Sequence, residues 1–410
     1  MTYRSVWWRP WQDMDLTLLG AVLGLTAIGV TAIFSTGLTN HSSDWWQQAL
    51  IGLLGLGVAL LLARWPYESL RRWHWGIYAL ANALLVAVMI VGTSALGAER
   101  WISIGGFHVQ PSEFAKVALI VTLAALLEKS RAPALWTILQ AAIVVTPPWV
   151  LVFIQPNLGT ALIFVAITLG MLYWASIPLT WIALLLSPLV SAILLSLSLP
   201  VWGVWVALMT GVAWWSLPWP RWGALTALVV NLTAGRLGQF FWGLLKDYQR
   251  DRLILFLDPD KDPLGGGYHL IQSRIAIGSG GLWGQGLFQG TQTQLSFIPE
   301  QNTDFIFSVV GEEMGFVGAM LVVFLFWLVA LRLVLIARSA RDGFGSLIAI
   351  GVLGMWMFQA VINIGMTVGL APITGIPLPF LSYGRSAMLA NFIALGLVQS
   401  VANHRRKSLY

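Results

Sequence analysis

Three aspartates lie within five positions in the stretch DPDKDPLGGGYH, in a chain that has only 17 acidic residues among 410. Carboxylates at such spacing can bind calcium, and a single one can act as a general base. Asp258, Asp260 and Asp262 occupy positions 1, 3 and 5 of a calcium-binding loop. Position 6, however, is Pro263 and position 12 is His269, where the loop needs Gly and Glu. A calcium hand is therefore excluded.

A second group of charged residues lies at or inside apolar segments, where an unpaired charge is unfavourable. Glu113 and Lys116 are one helical turn apart in QPSEFAKVALI, and Arg100 precedes them in a connecting segment. At this spacing the carboxylate and the ammonium can form an ion pair. A structural pair that fits a short helix into a bundle explains the pattern as well as a catalytic pair does.

For each of the other polar residues in the apolar segments, a structural role in packing or pairing is a better explanation than a catalytic role. Asn363 and Ser382 are interpreted as helix–helix hydrogen-bonding residues. The charged residues in this class are Arg236, Glu312, Glu313 and Arg385.

The glycine-rich stretch GSGGLWGQG is similar to a dinucleotide-binding fingerprint, but the third glycine of that pattern falls on Trp283. No βαβ pattern surrounds the stretch, so this interpretation is rejected. The sequence also has no phosphate-loop, nucleophile-elbow or zinc-helix pattern, which makes a soluble-type ATPase, serine hydrolase or zinc enzyme a poor match.

Transmembrane helices must hold these residues in place. The chain is 58% apolar and 10% charged, with a mean hydropathy of +0.78, which excludes a soluble globular domain. Apolar stretches near the length of about 20 residues that a span needs recur throughout, so the predicted fold class is an all-α polytopic membrane bundle of about twelve helices. The predicted spans are 16–35, 46–63, 75–96, 112–127, 135–153, 158–175, 178–199, 201–217, 222–245, 304–331, 346–366 and 386–402.

Lys and Arg set the predicted orientation, because cytoplasmic loops carry the excess of positive charge. The first apolar stretch is longer than a signal-peptide core and has no clear cleavage site, so we expect it to be a retained helix. With the N-terminus inside, the basic turns all fall on the cytoplasmic side; they contain Arg64, Arg71, Arg72, Lys129, Arg131, Arg221, Arg338, Arg341, Arg405, Arg406 and Lys407. Both termini are then cytoplasmic, and residues 246–303 form one long extracytoplasmic loop.

The net charge of +6 is explained by this topology and by attraction to anionic lipid, and no nucleic-acid-binding module is present. The chain has no cysteine, which excludes disulfides and thiol metal sites. Residues 1–410 are interpreted as one integral membrane domain. The loop at 246–303 is too rich in apolar residues to be disordered, so function is expected there.

Three long blocks resemble the signature sequences of the SEDS family, the shape, elongation, division and sporulation proteins. These blocks are GAERWISIGGFHVQPSEFAK, then DYQRDRLILFLDPDKDPLGGGYHLIQSRIAIGSGGLWGQGLFQGTQTQLSFIPEQNTDFIFSVVGEEMG, and NIGMTVGLAPITGIPLPFLSYGRS. Within the second block, GTQTQLSFIPE is more similar to the elongation branch than to the division branch. The resemblance implies a SEDS-type bundle, with a ten-helix core and two extra helices here.

The resemblance also implies a peptidoglycan glycosyltransferase that polymerises lipid II at the outer face of the bacterial cytoplasmic membrane, for cell elongation and cell shape. In the family the acidic residue of the DPLGxGYH motif is essential, and it corresponds to Asp262. An α-linked donor and a β-1,4 product require inversion in one displacement, which needs a base at the attacking hydroxyl. Asp262 is the predicted base, and Asp258 and Asp260 are its solvated neighbours.

Cations are expected to stabilise the leaving pyrophosphate. The family motif favours Arg100 and Lys116 for this role, with Glu113 orienting Lys116. The further predicted substrate-binding residues are Gln272, Ser273 and Arg252, and other candidate cations are Arg250, Lys261 and Arg274. No cofactor is required, although a divalent cation, Mg²⁺ or Mn²⁺, could bridge the pyrophosphate to Asp262.

The resemblance implies protein partners as well as a lipid substrate. The substrates are lipid II and undecaprenyl-linked glycan. The expected partners are a class B penicillin-binding transpeptidase and other membrane proteins of the elongation complex.

The sequence departs from the family pattern in three places. Asn157 in QPNLGT replaces the usual Asp, so an acidic role is lost while a hydrogen-bonding role remains. Arg385 in SYGRS replaces a second Gly, which adds a cation. Residues 178–221 exceed the ten-helix core and are interpreted as inserted helices.

Three alternative functions compete with this one. A lipid II flippase or other transporter would also carry intramembrane charges, but two repeated halves with paired broken helices are not visible in the sequence. A non-catalytic scaffold would use the loop only for docking. The third alternative is a polymerase of the division branch.

Overall fold

Long helices form most of the computed structural model, which describes residues 13–38, 42–95, 98–104, 107–129, 134–244 and 267–405. A 3₁₀ turn, Tyr67–Ser69, precedes the third helix. The long helices are α1 (Leu16–Gly37), α2 (Asp44–Arg64), α3 (Leu70–Val91), α4 (Pro111–Lys129), α5 (Ala134–Ile154), α6 (Leu158–Trp174), α7 (Leu179–Leu197), α8 (Leu199–Ser216) and α9 (Pro220–Leu244), and after the central loop α13 (Gly315–Ser339), α14 (Gly343–Val368) and α15 (Arg385–Asn403). Shorter helices between them are α10 (Tyr268–Ser279), α11 (Thr291–Gln294) and α12 (Ile306–Glu313).

Nine helices in the described part of the chain are long and apolar enough to cross a membrane, and α6 is a shorter apolar helix. The nine are α1, α2, α3, α5, α7, α8, α13, α14 and α15. Helix α4 carries charged residues at both ends, including Glu113, Lys116 and Lys129. The predicted all-α membrane architecture is confirmed.

The predicted span 304–331 is wrong in its bounds, because the chain bends between α12 and α13. Gly315 has a left-handed φ of 63°, and a Cβ there would lie 2.2 Å from the backbone nitrogen of Gly284. The Gln285 N–H donates to the Glu312 carbonyl (2.9 Å), which the bend leaves without a helical donor. The glycine-rich stretch is thus a packing element for this bend.

Three short antiparallel strands, which no sequence pattern predicted, connect α3 to α4. They are β1 (Thr93–Ala95), β2 (Ala98–Ile104) and β3 (Phe107–Val109), in the order β1-β2-β3. Ile102 pairs with Val109 across the second hairpin. This meander places Arg100 in β2, close in sequence to the start of α4.

Glycines allow the central helices to approach closely, as is common in membrane bundles. A Cβ on Gly55 of α2 would lie 2.7 Å from the ring of Phe392 in α15. A Cβ on Gly396 of α15 would lie 2.8 Å from the Cα of Ala59. Helices α14 and α15 are the most deeply buried of the spans, so they form the centre of the bundle together with α4.

Polar side chains join the helix ends on the side that the sequence predicts to be cytoplasmic. Asp15 caps α1 and accepts from Arg332 of α13 at 2.5–3.1 Å, and its backbone exchanges two 2.9 Å hydrogen bonds with the Gln399 side chain of α15. Asp15 is 4% exposed, so this bidentate pair contributes more than a surface ion pair would.

A second polar cluster at the same end joins α3, α4 and α14. Arg71 lies 2.9 Å from Glu128 and 2.5 Å from Asp342, and Tyr67 donates to Asp342 at 2.9 Å. Asp342 also caps α14 through the Gly345 N–H (2.9 Å). One arginine therefore neutralises acids from two helices.

The chain divides into two compact units, one formed by Met1–Met171 and Leu255–Tyr410, the other by Leu172–Ile254. The second unit contains α7, α8 and α9. Inside it, Ser191 donates to the Asn231 carbonyl (2.7 Å) and accepts from the Trp202 indole (2.8 Å). These hydrogen bonds join the three apolar helices of the second unit. The unit includes residues 178–221, and the interpretation of those residues as an insertion stays a prediction.

The glycine contact between α2 and α15 generates a stability prediction. Gly55→Ala should destabilise the protein by about 1–3 kcal/mol, because the ring of Phe392 is buried and cannot move away freely. The measurement is the thermal unfolding midpoint in detergent. Gly57→Ala is the matched control, since a Cβ at Gly57 in the same helix meets nothing within 4 Å. Equal midpoints for the two variants would contradict the close contact.

Candidate functional site

Glu113 and Lys116 form a buried ion pair at the start of α4. Lys116 Nζ lies 2.8 Å from Glu113 Oε2. Glu113 is 3% exposed and Lys116 is 1% exposed. The i, i+3 spacing places both side chains on one face of the helix. The structure therefore brings together two of the predicted site residues in the interior of the bundle.

Gln359 of α14 completes the surroundings of this pair, and no sequence pattern identified it. With the amide oriented by its hydrogen bonds, Oε1 accepts from Lys116 Nζ at 3.1 Å and Nε2 donates to the Met355 carbonyl at 3.3 Å. Gln359 is buried. The Lys116 ammonium is thus held by a carboxylate from its own helix and a carbonyl from a neighbouring one.

A polar stripe on α14 leads away from Lys116. Gln359, Asn363 and Thr367 recur every four residues, so they lie on one face over about 12 Å of helix. Asn363 Nδ2 donates to the carbonyls of Asp304 (2.9 Å) and Ile376 (2.8 Å). This four-residue spacing in an apolar helix was the available sequence signal, and Asn363 binds loop backbone rather than another helix.

Ser273 of α10 meets the far end of this stripe. Its hydroxyl donates to the Thr367 carbonyl (2.7 Å) and shares a 2.6 Å hydrogen bond with Ser308 of α12. Ser273 is buried, whereas Gln272 beside it is half-buried. Ser273 therefore holds α10 on the bundle, and the predicted substrate contacts of Gln272 and Ser273 stay predictions.

Arg100 lies at the turn between α5 and α6. Its guanidinium donates to the Gln155 carbonyl (3.1 Å) and to the Pro156 carbonyl, and Gln155 Nε2 donates to the Leu85 carbonyl of α3 (2.9 Å). Carbonyls just past a helix C-terminus lack helical donors and attract cations. The strand that carries Arg100 is therefore attached to the end of α5.

Asn157, the first departure from the family pattern, lies immediately before α6. Its side-chain oxygen accepts from the Thr160 N–H (3.3 Å), as a residue that caps a helix N-terminus does. Asn and Asp are about equally good in this position. The hydrogen-bonding role that was expected to survive the replacement is present.

The start of α15 is attached to the segment that leads into α4. Ser386 Oγ accepts from the Gln110 N–H (2.9 Å) and donates to the His108 carbonyl (3.3 Å). Arg385 is the first residue of α15 and precedes Ser386. The second departure from the family pattern therefore adds its cation at the point where α15 meets β3.

The predicted base lies outside the described residues, together with several predicted cations. These residues are Asp262, Asp258, Asp260, Arg250, Arg252 and Lys261. The structure describes the end of their stretch, where α10 begins at Tyr268, and Arg274 is exposed on that helix. Within the described ranges no group of three or more His, Asp or Glu could hold a metal ion, and the cation predicted at Asp262 stays a prediction.

Glu312 holds the TQTQ helix, α11, in place. Its carboxylate accepts from the Gln292 N–H (2.7 Å), the Thr293 N–H (3.0 Å) and the Thr293 hydroxyl (2.7 Å). Glu312 has no exposed surface. The donors at the helix N-terminus satisfy the buried charge, which agrees with a packing role for this residue.

Glu313, which precedes the spanning helix α13, extends this arrangement to the end of α1. It accepts from the Ser35 hydroxyl, and Gln294 Nε2 donates to Ser35 Oγ (3.0 Å). Burial raises the pKa of the Glu313 carboxyl above its ordinary value. The central loop is therefore attached to α1 through α11 and to α14 through α10.

Comparisons with known proteins agree with the sequence blocks. The profile of the FtsW, RodA and SpoVE family, described as cell cycle protein, matches residues 10–210 and 196–407. The peptidoglycan glycosyltransferase RodA of Treponema pallidum (strain Nichols) is 37% identical over 426 residues, covering 95% of this chain and 97% of the relative. The peptidoglycan glycosyltransferase MrdB of Escherichia coli (strain K12) is 34% identical over 396 residues, covering 96% and 94%.

A solved structure is similar over the same length. It comes from a study of polymerization and crosslinking by a peptidoglycan synthase complex, and its matching chain is 28% identical with a TM-score of 0.72. The similarity covers 97% of this chain and all of the other.

The buried ion pair generates a stability prediction. Glu113→Gln should destabilise the protein by about 3–5 kcal/mol, because it leaves the Lys116 charge buried without a counter-charge. Adding Lys116→Met to that variant should restore most of the stability, since no unpaired charge remains. Thermal unfolding of the two single variants, the double variant and wild type completes the cycle, and additive effects would contradict the pairing.

The Glu312 contacts generate a prediction about local order. Glu312→Gln should accelerate hydrogen exchange at the Gln292 and Thr293 amides, because a neutral amide attracts their N–H groups less strongly. Peptide-resolved hydrogen–deuterium exchange measures this effect. Glu300→Gln is the control, since Glu300 is an exposed acid of the same loop. An unchanged exchange rate at 292–293 in Glu312→Gln would show that the carboxylate does not hold α11.

Proposed function

We propose that this chain, which belongs to the FtsW, RodA and SpoVE family of cell cycle proteins, polymerises lipid II into β-1,4 glycan strands and releases undecaprenyl pyrophosphate. It is a peptidoglycan glycosyltransferase of the bacterial cell wall. The observation that carries this function is the similarity to RodA of Treponema pallidum over 95% of the chain. The RodA relative and the GTQTQLSFIPE stretch favour cell elongation and cell shape over the division branch.

The proposed reaction is a single displacement. The 4-hydroxyl oxygen of one lipid II attacks the anomeric carbon of a glycan that is α-linked to undecaprenyl pyrophosphate. The new β-1,4 bond forms as the bond to pyrophosphate breaks, and the hydroxyl proton passes to the carboxylate of Asp262. The pyrophosphate leaves as an anion, so cations rather than a strong acid are needed on that side.

Lys116 and Arg100 are the proposed cations for the pyrophosphate. Support for Lys116 comes from its burial beside Glu113 and Gln359. Charged side chains inside a membrane bundle are unfavourable, and those that occur there usually have a function. Support for Arg100 comes from its place at the α5–α6 turn, close in sequence to α4. Gln272, Ser273 and Arg252 are proposed to contact the substrate from the central loop.

We also propose that a divalent cation binds at the site, with the Asp262 carboxylate as one of its ligands. Mg²⁺ or Mn²⁺ there would neutralise pyrophosphate charge. Activity that falls with a chelator and returns with added Mg²⁺ or Mn²⁺ would support this role.

The chain is a multi-pass protein of the bacterial inner membrane. We propose that both termini are cytoplasmic and that residues 246–303 lie on the outer face. Four basic residues near the ends of described helices support this orientation, because they fall at turns that the sequence places on the cytoplasmic side; they are Arg64 in α2, Arg71 in α3, Lys129 in α4 and Arg338 in α13.

The proposed protein partner is a class B penicillin-binding transpeptidase. The similar solved chain comes from a peptidoglycan synthase complex in which polymerization and crosslinking are coordinated. A transpeptidase would crosslink the glycan strands that this chain makes. Other elongation-complex membrane proteins are proposed as further partners.

The test of the catalytic proposal uses the full-length protein in lipid vesicles, with lipid II and with or without the transpeptidase. Asp262→Asn should abolish glycan strands, because an amide cannot accept the hydroxyl proton. Asp258→Asn is the matched control, an acid of the same stretch that should remain active. Strand length on gels and release of undecaprenyl pyrophosphate are the measurements.

Three outcomes would contradict parts of the proposal. Strands from Asp262→Asn at the wild-type rate would exclude it as the base. No strands under any condition, together with movement of lipid II between leaflets, would favour the flippase alternative. The third outcome concerns the folded double variant Glu113→Gln/Lys116→Met. Normal polymerase activity of this variant would show that Lys116 does not stabilise the pyrophosphate and that the buried pair is structural.

A further inference from the structure

The central loop exposes large apolar side chains between α10 and α12, outside every described helix that is long enough to cross a membrane. Trp283 is 79% exposed and Leu282 is 65% exposed. We call the six exposed apolar residues the loop patch; they are Leu282, Trp283, Leu287, Phe288, Leu295 and Phe297. No charged residue occurs between positions 275 and 299, so the segment that carries the patch is itself uncharged.

The first part of the loop patch, Leu282 and Trp283, is held by backbone contacts between its segment and the start of α13. The Phe316 N–H donates to the Gly281 carbonyl (2.9 Å) and the Val317 N–H donates to the Leu282 carbonyl (3.1 Å). Gly284 has a left-handed φ of 84°, and a Cβ there would lie 2.1 Å from the Glu313 carbonyl oxygen. The exposed side chains are therefore presented by a close-packed segment.

The loop patch continues the exposed apolar face of α13. This helix is strongly apolar, and only 28% of its most apolar stretch is buried against the rest of the chain, so most of that stretch is open to the surrounding membrane. Phe316, in its first turn, is exposed, and its N–H is hydrogen-bonded to the carbonyl of Gly281, the residue before Leu282. On the other side, Phe288 packs edge-to-face on Phe34 of α1, with ring centroids 5.4 Å apart.

We propose that the loop patch inserts into the interfacial layer of the leaflet at which α13 begins, which is the outer leaflet in the orientation proposed above. Tryptophan favours the headgroup level, and Leu and Phe favour the upper acyl chains. Two features favour lipid as the partner of the loop patch. The patch is continuous with the exposed apolar surface of α13, and its own segment carries no charge. Exposed apolar area of this extent is unfavourable in water.

If the proposed function holds, this insertion would position the central loop relative to the lipid-linked substrate. The pyrophosphate of a lipid-linked glycan lies at the membrane surface, because its polyprenyl chain is buried in the bilayer. A loop anchored in that layer keeps α10, with Gln272, at the depth of the substrate. The patch is thus a positioning surface and not part of the reacting groups.

The absence of cysteine from the chain makes a direct test simple. Single cysteines replace Leu282, Leu295 or, as a control, the exposed acid Glu300, and each carries an environment-sensitive fluorophore. The full-length variants are placed in phosphatidylethanolamine–phosphatidylglycerol vesicles containing lipids with a nitroxide at the headgroup or the upper acyl chain. The probes at 282 and 295 should lose much of their fluorescence to these lipids, and the probe at 300 should lose little.

Quenching at 282 and 295 no stronger than at 300 would overturn the proposal. Probes that are water-exposed in the chain alone and become shielded only when the transpeptidase is added would overturn it too, in favour of protein docking. Wild-type unfolding midpoints for the labelled variants establish that they are folded. The quenching is measured without lipid II, so its result is independent of polymerase activity, which is assayed separately on the same preparations.

Discussion

The burial of one ammonium group constrains much of this bundle. A lysine inside a helical membrane protein is stable only when its charge and hydrogen-bond donors are matched by nearby groups. Glu113 supplies the counter-charge from α4 itself, and Gln359 supplies a carbonyl from α14. Because these partners lie on different helices, the two helices must keep one relative position. Close glycine contacts likewise fix the relative position of α2 and α15.

The position of α14 also determines where the central loop can lie. Asn363 binds the backbone of two separate loop segments, and the Thr367 carbonyl accepts from Ser273 of α10. At the other end of the loop, Glu312 holds α11. A loop of this length needs such contacts, since ordering it has a conformational entropy cost that only burial and hydrogen bonds can offset.

Some features of this fold could be predicted from the sequence and others could not. Span positions such as 16–35 agree with α1 because hydropathy and length are local properties. The bounds 304–331 were wrong because the bend at Gly315 depends on Gly284, which lies in another segment. The strands between α3 and α4 were missed because β1 and β3 have only three residues each and β2, AERWISI, shows no regular alternation of apolar and polar residues. Gln359 was missed because its partner is Lys116, far away in sequence.

The sequence by itself determined that this is a helical membrane protein, which family it belongs to, and that Glu113 and Lys116 share a helical face. Composition and motif spacing are sufficient for these conclusions because each depends on residues close together in the chain. Only the tertiary structure decided that Gln359 joins the pair, that Arg100 meets the α5–α6 turn, and that Glu312 caps α11. Those contacts join distant segments, and their partners are selected by how the helices pack and by the need to satisfy every buried polar group.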